Sequence, residues 1–162
     1  VGMAVRTALI LGLGNRLLAD DAAGPLVIDL LENDIPDDVV LCDGGTAGLN
    51  LLPEIEDCCA LIAVDAARFG EDAGTVRTFE GEEMDRQMAG LKSTAHEVAL
   101  ADLISAAKLM GACPEQRALV AVEPENIGIG LEPTPAVARA IPEMAAAVRN
   151  ILNRWRMEVP VS

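Results

Sequence analysis

Short apolar runs alternate with helix-period segments along the whole chain. Wholly apolar stretches, such as residues 8–11, are typical of strands that are buried on both faces. Between them apolar residues recur at helical spacing, as at Ala23, Val27 and Leu31. The pattern predicts strands at residues 5–12, 39–42, 59–64, 74–79 and 118–122, and helices at 22–33, 49–56, 94–110 and 134–155.

Strands and helices therefore alternate in order, which predicts an α/β fold: a three-layer α/β/α sandwich around a mostly parallel, twisted five-stranded sheet. Residues 1–162 suit one domain, with flexible ends expected at 1–4 and 157–162. The partly polar run at 74–79 predicts an edge strand. Pro142 predicts a kink in the last helix. Residues 69–93 carry less pattern and suggest a lid or a partner-binding segment.

The charge balance is strongly acidic, with 26 Asp and Glu against 12 Lys and Arg and a formal net charge of −14. This balance disfavours binding to nucleic acid or to an anionic membrane, since both need basic surfaces. We interpret the negative charge mainly as a contribution to solubility. Attraction of a basic partner is the minor interpretation. No apolar run approaches the ~20 residues of a membrane span, and no signal-peptide pattern is visible.

The four cysteines, Cys42, Cys58, Cys59 and Cys113, form no C-x-x-C pair. All lie in or beside apolar segments, so we expect buried, reduced thiols that act as small hydrophobic residues. This predicts neither a zinc ribbon nor a disulfide framework, and it makes the cytoplasm the expected compartment.

The loop after the first strand begins like a dinucleotide-binding motif, with Gly12 and Gly14. The third glycine of that motif is replaced by Leu17, and no G-K-[ST] follows. The adjacent carboxylates of Asp20 and Asp21 would repel a pyrophosphate. Nucleotide binding is therefore the weakest interpretation of this loop.

Acidic residues follow each of the first three strands: Asp20 and Asp21 the first, Asp43 the second and Asp65 the third. The carboxyl ends of parallel strands share one edge of a sheet, where open α/β sheets place their sites. Clustered carboxylates need a cation, and only Arg16 or Arg68 stands nearby in sequence. A divalent metal or a cationic group of a substrate is the simplest counter-charge for these carboxylates.

Each acid also has a structural interpretation. One of Asp20 and Asp21 is expected to cap the following helix, which leaves the other for a site. Asp43 precedes two glycines and can form an Asx turn. Asp65 can be a turn residue at a strand end.

The single histidine, His96, lies between Thr94 and Glu97, which form a capping-box pattern. This pattern makes His96 the second residue of a helix, where the helix dipole favours the neutral, metal-binding imidazole. A solvent-facing helix-start residue is the alternative. One imidazole with two carboxylates makes a three-ligand set with an open position, and it suits nickel or zinc better than magnesium. Neither Ser93 nor Ser105 has the setting of a nucleophile.

The ordered motifs resemble those of the [NiFe]-hydrogenase maturation proteases. The resemblance runs over residues 7–152 and rests on L-G-L-G-N at 11–15, the Asp20-Asp21 pair, D-G-G-T at 43–46, V-D-A at 64–66, and His96. The chain departs from the family pattern at Ala22, where many members have glycine, and at Ala73, where proline is common.

The resemblance implies a cytoplasmic endopeptidase, expected to be a monomer, with a twisted sheet between helix layers. Its partner is the hydrogenase large-subunit precursor, from which it removes a C-terminal extension after nickel insertion. Asp21, Asp65 and His96 are implied as metal contacts, and Asp43 is implied in cleavage, with Asp43 and Asp21 as candidates for the general base. Nickel is expected to arrive in the substrate rather than to be held tightly here.

Two alternative functions are compatible with the sequence. A non-catalytic module that senses a metal in a metalloprotein precursor needs the same three ligands. A small nucleotide-binding α/β protein is the less favoured alternative.

Overall fold

A five-stranded sheet forms the centre of the computed structural model, which describes residues 7–45, 52–89 and 95–158. Its strands are β1 (Thr7–Leu13), β2 (Val39–Gly45), β3 (Cys58–Ala66), β4 (Val76–Glu80) and β5 (Gln116–Val122). They lie in the order β2-β1-β3-β5-β4. The first three pairs are parallel and β4 runs antiparallel to β5. The mostly parallel sheet and the edge position of the fourth strand are confirmed.

Helices cover both faces of this sheet. A 3-10 turn (Ala19–Ala22) leads into α1 (Ala23–Leu31), and the other helices are α2 (Leu52–Asp57), α3 (Glu82–Ala89), α4 (Ala95–Leu109) and α5 (Pro135–Glu158). Side chains alternate along each strand, so that Leu9 and Leu11 of β1 enter one core and Ile10 enters the other. The first core lies under α2, α3 and α4, and the second under α1 and α5. The three-layer prediction is therefore confirmed.

Helix α3 lies inside the segment that the sequence pattern left unassigned. It is a polar helix. Of its eight residues only Met84 and Met88 are buried, and these two lie one helical turn apart. Two apolar positions give too weak a periodic signal to predict a helix. Residues 82–89 of this segment therefore form a regular helix that packs on the core containing Leu9 and Leu11.

The last helix is longer than predicted. It continues through Pro142 and ends at Glu158. Residues 157 and 158, expected in a flexible end, thus belong to α5, while residues 1–4 and 159–162 lie outside the described residues. So do residues 49–51 of the predicted second helix. No helix within the described ranges is long and apolar enough to cross a membrane.

Two glycines bring α1 onto the ends of β1 and β3. A Cβ on Gly24 would lie 2.3 Å from the Leu13 carbonyl oxygen and 2.4 Å from that of Val64. A Cβ on Gly12 would lie 2.5 Å from the Ile28 side chain. These glycines permit close helix–sheet packing. Packing therefore explains the glycines of this loop, and a bound phosphate is not needed to explain them.

Candidate active site at the carboxyl edge of the sheet

The strand order creates a crevice between the carboxyl ends of β1 and β3. The chain leaves β1 for β2 on one side and later enters β3 on the other, which is the switch point where α/β sheets bind ligands. Gly12 of β1 pairs with Val64 of β3, so the two strands end side by side. Asp21 follows β1 and Asp65 is the next-to-last residue of β3, so both lie at this edge.

Asp21 is buried, with 2% of its surface exposed. Its Oδ2 accepts a hydrogen bond of 2.8 Å from the backbone N–H of Asn15. The loop folds back tightly because Gly14 has φ +130°, and a Cβ there would lie 1.8 Å from the Asp21 carbonyl oxygen. The L-G-L-G-N motif therefore wraps around Asp21 and fixes the orientation of its carboxylate.

Asp65 is equally buried, at 2% exposure, although it is charged. The 3-10 turn that carries Asp21 packs against β3, the strand that carries Asp65. The structure thus brings these two predicted site residues to one edge, on elements that touch. Charged side chains at this depth are retained where they have a partner or a function.

Asp20 has a different role from its neighbour, and the expectation that one of the pair caps the helix is wrong. Neither the 3-10 turn nor α1 has a side-chain cap hydrogen bond. The fully buried Asp20 carboxylate instead accepts hydrogen bonds from the backbone N–H groups of Glu125, Asn126 and Thr134. It ties the loop after β1 to the loop after β5.

Asp43 lies within β2, level with Gly12 of β1, and it is exposed. Its Oδ1 accepts a hydrogen bond of 3.2 Å from the N–H of Gly45, which confirms the Asx-turn interpretation. Its Oδ2 accepts hydrogen bonds from Nε of Arg16 at 3.2 Å and from Nη2 at 3.0 Å. Arg16, named from the sequence as a possible counter-charge, thus neutralises Asp43 in part.

Arg16 also binds Asp29 of α1 through two parallel hydrogen bonds of 2.7 and 2.9 Å. These bonds and the guanidinium charge lower the pKa of Asp29, against the opposite effect of its burial. The guanidinium therefore bridges α1 and β2, and it holds Asp43 in a fixed orientation.

His96 is the second residue of α4, as the sequence predicts. Its side chain and Thr94 lie outside the described residues, so the capping box and the imidazole contacts stay predictions. Among the described side chains, no group of three or more His, Cys, Asp or Glu is arranged to hold a metal ion. The proposed three-ligand set therefore depends on where the imidazole of His96 lies.

Glu123 is a buried acid that the sequence interpretation missed. It directly follows β5, is 5% exposed, and its Oε1 accepts hydrogen bonds from the N–H groups of Phe69 at 3.1 Å and Glu71 at 2.9 Å. These bonds fix the loop that leaves β3 just after Asp65. The rule that found the other acids, a carboxylate at a strand end, would have found Glu123 too.

The cysteines differ in burial and in position along the strands. Cys58 is buried, and burial raises the pKa of its thiol to about 11. Burial also raises the pKa of Cys113. The expectation of buried thiols is confirmed for Cys58, while Cys42 and Cys113 are only partly buried. It is wrong for Cys59, which is exposed because it points away from the core at the start of β3.

Comparison with known proteins identifies the family. The family model for hydrogenase maturation proteases matches residues 25–151. The chain belongs to the hydrogenase maturation protease family. A hydrogenase expression/formation protein, HupD of Rhodobacter capsulatus, is 39% identical over 157 residues, which cover 93% of this chain and 73% of HupD.

Members of known activity and structure agree with this assignment. The hydrogenase 2 maturation protease of Escherichia coli K12 is 37% identical over 148 residues, covering 87% of this chain and 90% of that protein. The solved structure of the hydrogenase maturating endopeptidase HybD from E. coli matches with a TM-score of 0.86 and 34% identity, over 91% of this chain and 93% of HybD. The protein is thus a hydrogenase maturation endopeptidase, a peptide hydrolase.

Proposed function

We propose that this maturation protease is a nickel-dependent endopeptidase that removes the C-terminal extension of a [NiFe]-hydrogenase large-subunit precursor after nickel insertion. Asp21, Asp65 and His96 contact the nickel that the precursor carries, and Asp43 acts in cleavage. The protein works in the cytoplasm as a monomer. We propose the cytoplasm because the spacing of the four cysteines gives no disulfide framework.

One observation carries the proposal. Two buried carboxylates, Asp21 and Asp65, lie at the adjoining ends of β1 and β3, at the switch point of the sheet. Two like charges at this depth favour a cation between them. A divalent ion supplied by the substrate meets this need without a resident metal.

The topology supports His96 as the third ligand. Residues 110–115 join the end of α4 to the amino end of β5, which runs parallel to β3. A helix that leads into a parallel strand packs antiparallel to it, so its first turn lies near the carboxyl edge of the sheet. His96 is in that first turn, and an imidazole there is biased towards its neutral, ligating form.

The ligand set makes nickel in the precursor a condition for cleavage. Two carboxylates and one imidazole complete the coordination shell of an ion that the precursor already holds, so a nickel-free precursor is refused. Nickel held by these three residues would polarise the scissile carbonyl or lower the pKa of a water molecule. Asp43, exposed and oriented by Arg16, and Asp21 are the two candidates for the general base.

The test measures the intact mass of a large-subunit precursor before and after incubation with the protein. A nickel-loaded precursor should lose a short C-terminal peptide, and a nickel-free precursor should keep its mass. Formation of a stable complex without mass loss would instead identify a metal-sensing binding module. Cleavage of both precursors would contradict nickel dependence.

A further inference from the structure

Three large aliphatic side chains are exposed beside the candidate site. Leu17 is 59% exposed, Ile129 95% and Leu131 81%. Leu17 lies in the loop after β1, and the other two lie in the loop after β5, so all three are at the carboxyl edge of the sheet. We call these three residues the apolar patch. Grouped aliphatic side chains that stay exposed mark binding surfaces, unlike those scattered singly.

The apolar patch is held together by backbone hydrogen bonds between the two loops. The N–H of Gly130 donates to the carbonyl of Leu17 at 2.9 Å, and the N–H of Ala19 donates to the carbonyl of Gly130 at 2.9 Å. Ile129 and Leu131 flank Gly130 and are therefore held next to Leu17. The buried Asp20 carboxylate braces the same two loops, so the patch is pre-formed and costs little ordering on binding.

The apolar patch is close to the proposed metal-contacting residues. Leu17 precedes Asp21 by four residues. A chain of that length spans at most ~14 Å, which is also the span of about four residues of an extended peptide. The loop is more compact than this limit, because the N–H of Asp21 donates to the carbonyl of Leu18 at 2.9 Å. A peptide whose scissile bond lies at Asp21 thus has residues within about four positions of that bond in reach of the patch.

The rim of the apolar patch is acidic. Glu125 and Glu132 are both exposed and lie in the same loop as Ile129 and Leu131. The neighbouring base, Arg16, is already engaged by Asp29 and Asp43. With a net charge of −14 over the whole chain, this rim attracts basic groups.

We propose that the apolar patch docks the precursor through a segment of aliphatic side chains flanked by Lys or Arg, within about four residues of the scissile bond. The identity of the partner rests on the proposed function. The patch then selects the precursor by its sequence, separately from the nickel that it carries. It contributes to binding rather than to the chemical step.

The test uses a double variant that carries both Ile129→Glu and Leu131→Glu. A matched control carries Leu109→Glu alone. Leu109 is 90% exposed and is the last residue of α4, away from both loops. The double variant should raise KM for the nickel-loaded precursor at least about tenfold, with kcat within about twofold. The control should change neither constant. Because the substituted side chains are exposed, the unfolding midpoint should stay that of the wild type in each variant.

Direct binding separates this inference from the proposed function. Biolayer interferometry with the immobilised nickel-loaded precursor should show weaker binding by the double variant and not by Leu109→Glu. If the wild type cleaves and the double variant keeps its KM and affinity, the docking surface is wrong while the proposed function stands. If the wild type binds without cleaving, the proposed function is wrong, and a loss of binding in the double variant still supports the docking surface.

The charge of the rim has its own test. Glu132→Lys should raise KM and reduce the dependence of KM on salt, because one attractive charge is replaced by a repulsive one. An unchanged KM at low salt would exclude a basic flank in the docked segment.

Discussion

Thr134 donates both its backbone N–H and its hydroxyl to the carboxylate of Asp20, across 114 residues of sequence. The N–H bond is 2.6 Å and the hydroxyl lies 2.9 and 3.0 Å from the two carboxylate oxygens. This contact joins the start of α5 to the loop that carries Asp21. Asp20 therefore holds in place the loop that positions Asp21 at the carboxyl edge of the sheet.

Asp20→Asn should destabilise the fold. The amide removes the charge from a fully buried group and offers N–H donors to amides that are themselves donors. We expect the free energy of unfolding to fall by ~2–4 kcal/mol in urea denaturation. Asp37→Asn, at an exposed position, is the control and should change it by less than ~0.5 kcal/mol. A stability equal to that of the control would show that these hydrogen bonds contribute little.

Gly14→Ala should displace Asp21. The added Cβ would lie 1.8 Å from the Asp21 carbonyl oxygen, and φ at Gly14 is +130°. We expect a loss of more than ~3 kcal/mol of stability together with the loss of processing activity. Gly81→Ala is the control that separates backbone strain from the steric clash of the new Cβ. Gly81 also has a positive φ, of +57°, but no atom lies within 4 Å of a Cβ added there. That variant should lose only ~1 kcal/mol. Equal effects of the two substitutions would rule out the collision as the cause.

The three inner strands β1, β3 and β5 were predictable from the sequence because they are apolar on both faces. Residues such as Leu61, Ile62 and Ala63 form an unbroken apolar run, which solvent-exposed structure does not tolerate. Helix α3 was not predictable, since Met84 and Met88 alone anchor it. Its position depends on tertiary contacts with α4 and β4 that leave little periodicity in its own sequence.

The site was predictable as a set of strand-end acids but not in the division of roles among them. The residue types and their spacing do not distinguish Asp20 from Asp21, and only the family resemblance implies Asp21 as the metal contact. Only the folded loop shows that Asp20 faces the amides of a segment more than 100 residues away, while Asp21 faces Asn15. Glu123 is also an acid at the end of a strand. Its hydrogen-bond donors, Phe69 and Glu71, are brought to it by the fold of the loop after β3.

Acid should weaken the cluster around Asp85. Burial raises the pKa of Asp85, but the hydrogen bonds and charges of Arg117 and Lys108 outweigh it, so the pKa lies below its ordinary value. Ion pairing with Arg117 at 2.7 Å therefore stabilises the protein above the unfolded-state pKa of ~3.9, and this stabilisation is lost as the pH falls through the lowered folded-state value.

The measurement is urea denaturation of wild type and Asp85→Asn at several pH values. At pH 7 the variant should be less stable by ~1–3 kcal/mol, because the mostly buried guanidinium of Arg117 loses its carboxylate. The difference should shrink below pH 4, where the carboxylate of the unfolded state takes up a proton while that of the folded state stays ionised to a lower pH. A difference that stays constant from pH 7 to pH 3 would contradict the lowered pKa.

Asp65→Asn and His96→Ala should each abolish processing of a nickel-loaded precursor, with a loss of at least ~100-fold in rate. His96→Ala should leave the unfolding midpoint nearly unchanged, since a residue in the first turn of a helix packs little. Asp102→Asn, an exposed acid on the same helix, should process normally. A well-folded His96→Ala variant that still matures its precursor would remove the histidine from the site.

The anomalous difference map of crystals soaked in Ni²⁺ or Cd²⁺ tests directly whether Asp21, Asp65 and His96 contact one metal ion. We expect a peak at the carboxyl ends of β1 and β3, about 2.0–2.3 Å from a carboxylate oxygen of Asp21, a carboxylate oxygen of Asp65 and a ring nitrogen of His96. A map that places the imidazole of His96 away from both carboxylates, with the ion bound elsewhere, would contradict it.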